Sequence, residues 1–246
     1  MAVPSKYILH QGPTLAGLCR TAAAALKQKV ISGRPPQPGV PGPEVSRTFP
    51  PRSPDLVKAY IKHVGGNPSD YKETLPYHLF PQWGFALAAQ TLKGIPYPML
   101  KVMNGGCRIE IKAPLPLGEA LDVRARLENI DDNGSRAVLH QRITTGTSST
   151  PEALVANLYA VVPLRSKSQE SRGPRKPKAR VPEQARELKY WKIKREAGLD
   201  FAKLTGDFNP IHWIPAHARA FGFKNTILHG FSTMARAIEG LNQTRL

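Results

Sequence analysis

Several things are scarce in this chain, and each scarcity excludes something. Only two cysteines, Cys19 and Cys107, occur in 246 residues. Two thiols so far apart read as free groups in a reducing, cytoplasmic compartment and not as a disulfide framework. No stretch approaches the roughly 18 uninterrupted apolar residues of a bilayer-spanning helix, so no membrane span is expected. Acidic residues are few: 18 Asp and Glu stand against 35 Lys and Arg, a formal charge of +17. Such a charge raises encounter rates with anions but carries no information about fold. There is no glycine-rich phosphate loop and no nucleophile elbow. His212, His217 and His229 lack zinc-ligand spacing with any cysteine and form no H-E-x-x-H pair, so no metal site is expected.

What is present divides the chain. Apolar residues at 41% and charged residues at 22% describe an ordinary globular composition. Residues 1–43 contain no Asp or Glu, and Pro13 to Val30 is Ala-rich and helical in pattern. That segment reads as an appended amphipathic helix, with a transit peptide as the alternative. Eight prolines fall between Pro35 and Pro54. Proline fixes φ and removes a donor, so this stretch should be extended and close to polyproline II. A second break begins at Arg165: residues 165–195 hold twelve Lys and Arg against three Glu. Its first half is almost without apolar residues and cannot offset its ordering entropy by burial. The expected organisation is therefore 1–54 as helix and Pro-rich segment, 55–164 as a first folded unit, 165–186 as a basic linker and 187–246 as a second unit.

The first unit has legible elements. Pro54 to His63 reads as a short helix stopped by Gly65-Gly66, followed by a loop over Asn67 to Pro81. Trp83 to Leu92 is nearly all apolar and ends at Gly94 and Pro96, the pattern of a buried helix. Cys107 to Lys112 and Leu121 to Leu127 alternate apolar and polar residues as half-buried strands do. Asp131-Asp132-Asn133-Gly134 is a hairpin turn, and Ala137 to Thr144 and Ala153 to Val162 complete the set. One buried helix followed by an antiparallel meander gives an α+β architecture, a sheet wrapped around a helix.

The second unit carries the most specific signal. Asp207-x-Asn209-Pro210-x-His212 is followed by Ala218, Gly222-Phe223 and His229-Gly230-Phe231. Taken singly, Asp207 is an Asx-turn or capping residue and His212 a satisfied core histidine. His229 reads as a structural residue before the last helix, Phe231 to Leu241. Ser232 and Thr233 read as polar groups at that helix start, and His217 as exposed. Taken together at these spacings, the residues resemble the MaoC-like dehydratases, the (R)-specific enoyl-CoA hydratase family. That resemblance implies a double hot-dog fold, two units each with a long central helix wrapped by antiparallel sheet. It also implies hydration of trans-2-enoyl thioesters, or dehydration of (R)-3-hydroxyacyl thioesters, in fatty-acid metabolism.

By the same resemblance Asp207 and His212 are the catalytic pair, orienting one water and passing its protons. Asn209 fixes the loop, and the Gly230 amide at the helix start holds the thioester oxygen. No external cofactor is implied. The substrate would be an acyl-CoA or acyl carrier protein thioester, to which a basic surface is suited. Nucleic acid is not expected, because the basic stretch lacks interleaved aromatics or a basic helix face. Gly65-Gly66-Asn67-Pro68-Ser69-Asp70 reads as a decayed copy of the motif. Asn67-Pro68 lies on Asn209-Pro210, Gly65 and Asp70 replace the catalytic pair, and Gly84-Phe85 stands for Gly230-Phe231. The first unit is then the non-catalytic half.

Only 16 residues follow Gly230, whereas 80 separate Gly84 from Leu164. The second unit is therefore expected to be incomplete, truncated before most of its sheet. Its last helix would be partly uncovered unless a homodimer or another partner covers it. Two alternatives to the hydratase stand beside it: a non-catalytic acyl-thioester-binding or docking subunit, and a hot-dog thioesterase.

Overall fold

The computed structural model describes residues 2–12, 14–17, 37–164 and 180–244. The helix expected over Pro13 to Val30, Cys19, and residues 165–179 of the basic linker fall largely or wholly outside them. Within the described residues one five-stranded antiparallel sheet runs in the order β1-β3-β4-β5-β2. Its strands are β1 (Val45–Phe49), β2 (Met103–Ile111), β3 (Leu121–Asp132), β4 (Arg136–Gly146) and β5 (Leu154–Pro163). The β3–β4 hairpin turns at Asn133, whose side-chain oxygen accepts the N–H groups of Ser135 and Arg136 at 3.1 and 3.0 Å.

The alternation read in the sequence is what the sheet uses. Along β3, Leu121, Val123, Ala125 and Leu127 are buried, with more exposed residues between them. Period-two burial leaves one face for a helix, and helix α2 (Pro81–Thr91) occupies it. The Trp83 indole N–H donates to Thr145 Oγ1 at 3.0 Å, and the Gln141 side-chain amide donates to the Ala88 carbonyl at 2.6 Å. Both bonds fasten the helix to β4. Helix α1 (Pro54–Val64) buries Leu56, Val57, Tyr60, Ile61 and Val64 along one stripe and ends at Gly65 in the left-handed region. A buried helix against an antiparallel sheet is the α+β architecture expected from the sequence.

One difference lies in the Pro-rich stretch. It was read as extended and close to polyproline II, but five of its residues form β1 and pair with β3, Val45 opposite Ala125 and Phe49 opposite Leu121. Val45 to Phe49 contains no proline, so its backbone donors are free to enter the ladder at an edge position, where flanking prolines are tolerated.

The remaining elements are helical: α3 (Ala197–Thr205), α4 (Pro215–Ala220) and α5 (Gly230–Thr244). Residues 180–244 form no strand among the described residues. Helix α5 packs on the first unit. The Phe231 ring meets Phe80 and Phe85 edge-on, with centroids 5.5 and 5.1 Å away, and Met234 Sδ lies 3.2 Å from Cys107 Sγ on β2. Its opposite side carries exposed residues, Leu241 among them.

Candidate active site

The motif residues converge where α3 stops. Gly206, at φ +83°, caps α3 by donating its N–H to the Ala202 carbonyl at 2.7 Å. The chain then folds through two side-chain-stabilised turns. Asp207 Oδ1 accepts the Asn209 N–H, and Asn209 Oδ1 accepts the Ile211 N–H, both at 3.3 Å. Pro210 opens a single 3-10 turn ending at His212. Asn209 Oδ1 thereby caps the turn that carries His212. Gly198 lets this turn sit against α3, because a Cβ there would lie 2.2 Å from the His212 carbonyl oxygen.

Hydrogen bonds to the main chain decide the histidine tautomers. His212 Nδ1 lies 2.9 Å from the Ile227 carbonyl. A carbonyl can only accept, so Nδ1 carries a proton, and in the neutral ring the lone pair is on Nε2. His229 Nε2 lies 2.9 Å from the main-chain carbonyl of Asp207 and donates to it. The two imidazoles stack with centroids 3.6 Å apart and planes at 27°. His229 therefore ties the Asp207 loop to the start of α5 and gives His212 a flat surface. Its side chain is 1% exposed, against 18% for Asp207. Burial drives its pKa down to about 4, although the Asp207 carboxylate pulls the other way and the neighbouring His212 adds to the fall. At neutral pH His229 is uncharged.

Asp207, His212 and His229 each offer one ligand atom within 4.8 Å of the others, a cluster that their sequence spacing did not reveal.

Gly230 opens α5. The Thr233 N–H is the first to bond back, to the His229 carbonyl at 3.1 Å, so the amides of Gly230, Phe231 and Ser232 precede the ladder. Fifteen residues of helix add their dipole to that end. The structure thus brings Asp207, His212 and His229 together, with Gly230 next in the chain to His229 and Asn209 capping the turn that carries His212. Their decayed counterparts repeat the geometry only in part. Asn67 Oδ1 accepts the Ser69 N–H at 3.2 Å at the start of another 3-10 turn, just as Asn209 does for Ile211. The Gly84 N–H, by contrast, is spent on the Phe80 carbonyl at 2.8 Å inside α2 and is not a free donor.

Two contributors were not legible. Gln11 is fully buried, and its side-chain amide donates to the Lys203 and Leu204 carbonyls at the end of α3. His229 was read as structural, and its bond to Asp207 and stack on His212 required the fold. A histidine preceding a helix-opening glycine was the one available hint.

Residues 177–243 match the family model described as the MaoC like domain. The chain is 28% identical over 241 residues to the 3-hydroxyacyl-thioester dehydratase X of Mycobacterium tuberculosis, covering 95% of this chain and 80% of that protein. It is also 28% identical over 190 residues to the peroxisomal hydratase-dehydrogenase-epimerase of Neurospora crassa, where the match spans 72% of this chain and 21% of that much longer protein. Among solved structures, the crystal structure of HtdX from Mycobacterium tuberculosis superposes with a TM-score of 0.66 at 22% identity, over 81% of this chain and 78% of that one. At that identity the likeness speaks for the fold, a helix wrapped by antiparallel sheet of hot-dog type. Motif and loop geometry agree with the match of residues 177–243 to the MaoC like domain.

Proposed function

We propose that the chain adds water to trans-2-enoyl thioesters and, in reverse, dehydrates (R)-3-hydroxyacyl thioesters. The observation that carries this reading is the fixed tautomer of His212. With Nδ1–H held by the Ile227 carbonyl, Nε2 is left as the base of a ring that has a ligand atom within 4.8 Å of one on Asp207. In the forward direction a water held by Asp207 and His212 gives its oxygen to C3 while Nε2 takes a proton. The double-bond electrons move onto the thioester oxygen, which the Gly230 N–H receives, and the proton returns to C2 as the carbonyl re-forms. Such positioned acid–base catalysis contributes about 10²–10⁴-fold. No redox partner is required, because the elements of water are the whole difference between substrate and product.

The relatives named as a hydratase and a dehydratase support this chemistry for the chain. The acyl carrier is CoA or acyl carrier protein, and the net charge of +17 favours either anionic partner. Among the described residues no helix is long and apolar enough to cross a membrane. We assign a cytoplasmic location, with the peroxisome as the alternative raised by the Neurospora crassa relative, and cell fractionation decides between them.

The test is turnover of a short trans-2-enoyl-CoA by the purified chain. The enoyl absorbance should fall, the product should be the (R)-3-hydroxyacyl-CoA, and Asp207→Asn should lose about 10²–10⁴ of the rate. A cooperatively folded chain without turnover overturns the hydratase. Tight binding of the thioester in that case would favour the non-catalytic binding subunit, and release of free thiol would favour the thioesterase.

A further inference from the structure

Strand β2 begins with an irregularity that faces the site. The β2–β5 ladder shifts register between Asn104 and Gly106, a β-bulge at Gly105, and Gly106 sits at φ +135°. A Cβ on Gly105 would lie 2.5 Å from Val161 Cγ2 and 2.8 Å from the Tyr159 carbonyl oxygen, so the bulge depends on glycine there. Bulges re-aim side chains and recur beside active sites.

This bulge aims Asn104. Its Oδ1 accepts the Gly106 N–H at 2.8 Å, which settles the orientation of the amide and turns Nδ2 to the other side. That nitrogen lies over the first residue of α5: a Cβ built on Gly230 would be 2.9 Å from Asn104 Nδ2. Asn104 and Gly230 are both exposed, so a ligand can approach them from solvent. The approach is held by the Cys107–Met234 sulfur contact one turn further along α5.

We propose that Asn104 Nδ2 is a second hydrogen-bond donor to the thioester oxygen, beside the Gly230 N–H. The oxyanion pocket is then built from both units, a backbone amide from α5 and a side-chain amide from the edge of the first unit's sheet. An oxygen that gains charge as water adds to C3 accepts two N–H groups, and neither donor gives up its proton. This assignment rests on the hydratase reading.

Two variants separate a donor from a structural residue. Asn104→Asp keeps the volume and the acceptor for the Gly106 N–H but removes the NH₂ and puts negative charge against the developing oxyanion. Asn104→Ala removes both contacts. With a short trans-2-enoyl-CoA, Asn104→Ala should lower kcat about 10²–10³-fold with KM little changed. Asn104→Asp should be slower still. A residue that only shapes the bulge would give the reverse order, Asp close to wild type and Ala poorer, and that order overturns the assignment while leaving the hydratase intact. Calorimetric binding of butyryl-CoA, which is saturated and cannot react, serves as the independent readout. Should wild type bind butyryl-CoA without turning over the enoyl thioester, the hydratase reading falls. The donor assignment then stands only if Asn104→Asp binds more weakly than Asn104→Ala. Absence of both binding and turnover in wild type overturns the two together.

Discussion

His229 and His63 are buried imidazoles whose pKa values both fall to about 4, in each case chiefly because burial penalises the charged ring. For His63 the Arg236 guanidinium adds to the fall, and Asp200 opposes it. The unfolded chain, with ordinary histidines near 6.5, binds protons first as the pH drops. Unfolding therefore becomes easier between about pH 6.5 and 4, by up to about 1.4 kcal/mol per pH unit for each histidine, and the dependence levels off below that window. Urea midpoints measured from pH 7 to pH 4 should fall along this course. His63→Phe, which keeps an aromatic ring beside Phe201, should make the fall shallower. Midpoints that are flat between pH 7 and 5 would contradict the burial argument.

At the scale of elements, the end of α3 is the part on which the candidate site depends. Its last carbonyls would be orphaned if nothing met them. Gln11 meets two of them, and its Oε1 in turn accepts the Gln82 amide from α2 at 3.2 Å. The 3-10 turn Ser5–Gln11 is thereby fastened to both units, and the Gly206–Asn209 turns hang from the carbonyls it caps. Gln11→Leu keeps most of the volume and removes every one of these bonds. It should cost about 1–3 kcal/mol in chemical denaturation for each buried group left unpaired. It should also lower thioester turnover, because the carboxylate of Asp207 loses its fixed origin. Unchanged stability would mean that these carbonyls find other partners.

Across the whole molecule, α5 is joined to the first unit through polar groups as well as the phenylalanine cluster. Glu239 Oε1 accepts the Tyr71 hydroxyl at 2.6 Å and lies 3.0 Å from His78 Nε2, while the Tyr60 hydroxyl donates to the His78 carbonyl at 2.9 Å. Burial, and then the hydrogen bond to Glu239, push the Tyr71 hydroxyl well above its ordinary range. Gly66 makes room for the carboxylate, since a Cβ there would lie 2.4 Å from Glu239 Cδ. The other face of α1 is held as well, where Trp191 packs on Gly65. Removing one side of a buried polar pair leaves the other uncompensated, so Glu239→Ala should destabilise by about 3 kcal/mol. Glu239→Gln, which preserves an acceptor for Tyr71, should cost less. Hydrogen exchange should show the loss concentrated in α5 and α1, and equal protection in the alanine variant would show that the aromatic contacts suffice.

The sequence by itself determined whatever depends on neighbours along the chain. Period-two alternation placed β3 and the later part of β2, the Pro and Gly punctuation bounded α1 and α2, and the spacing Asp207-x-Asn209-Pro210-x-His212 carried the family resemblance. These are local because pleat, turn and cap are set within a few residues. The edge strand β1 was hidden by flanking prolines, since pairing with β3 is a property of the partner strand as much as of Val45 to Phe49. Only the tertiary structure decided which nitrogen of His212 meets the Ile227 carbonyl, that His229 stacks against its ring, that Gln11 caps α3 and that Asn104 reaches Gly230. Each of these joins groups far apart in the chain, and a hydrogen bond or a stack of rings is specified by position in space, which no spacing along the backbone encodes.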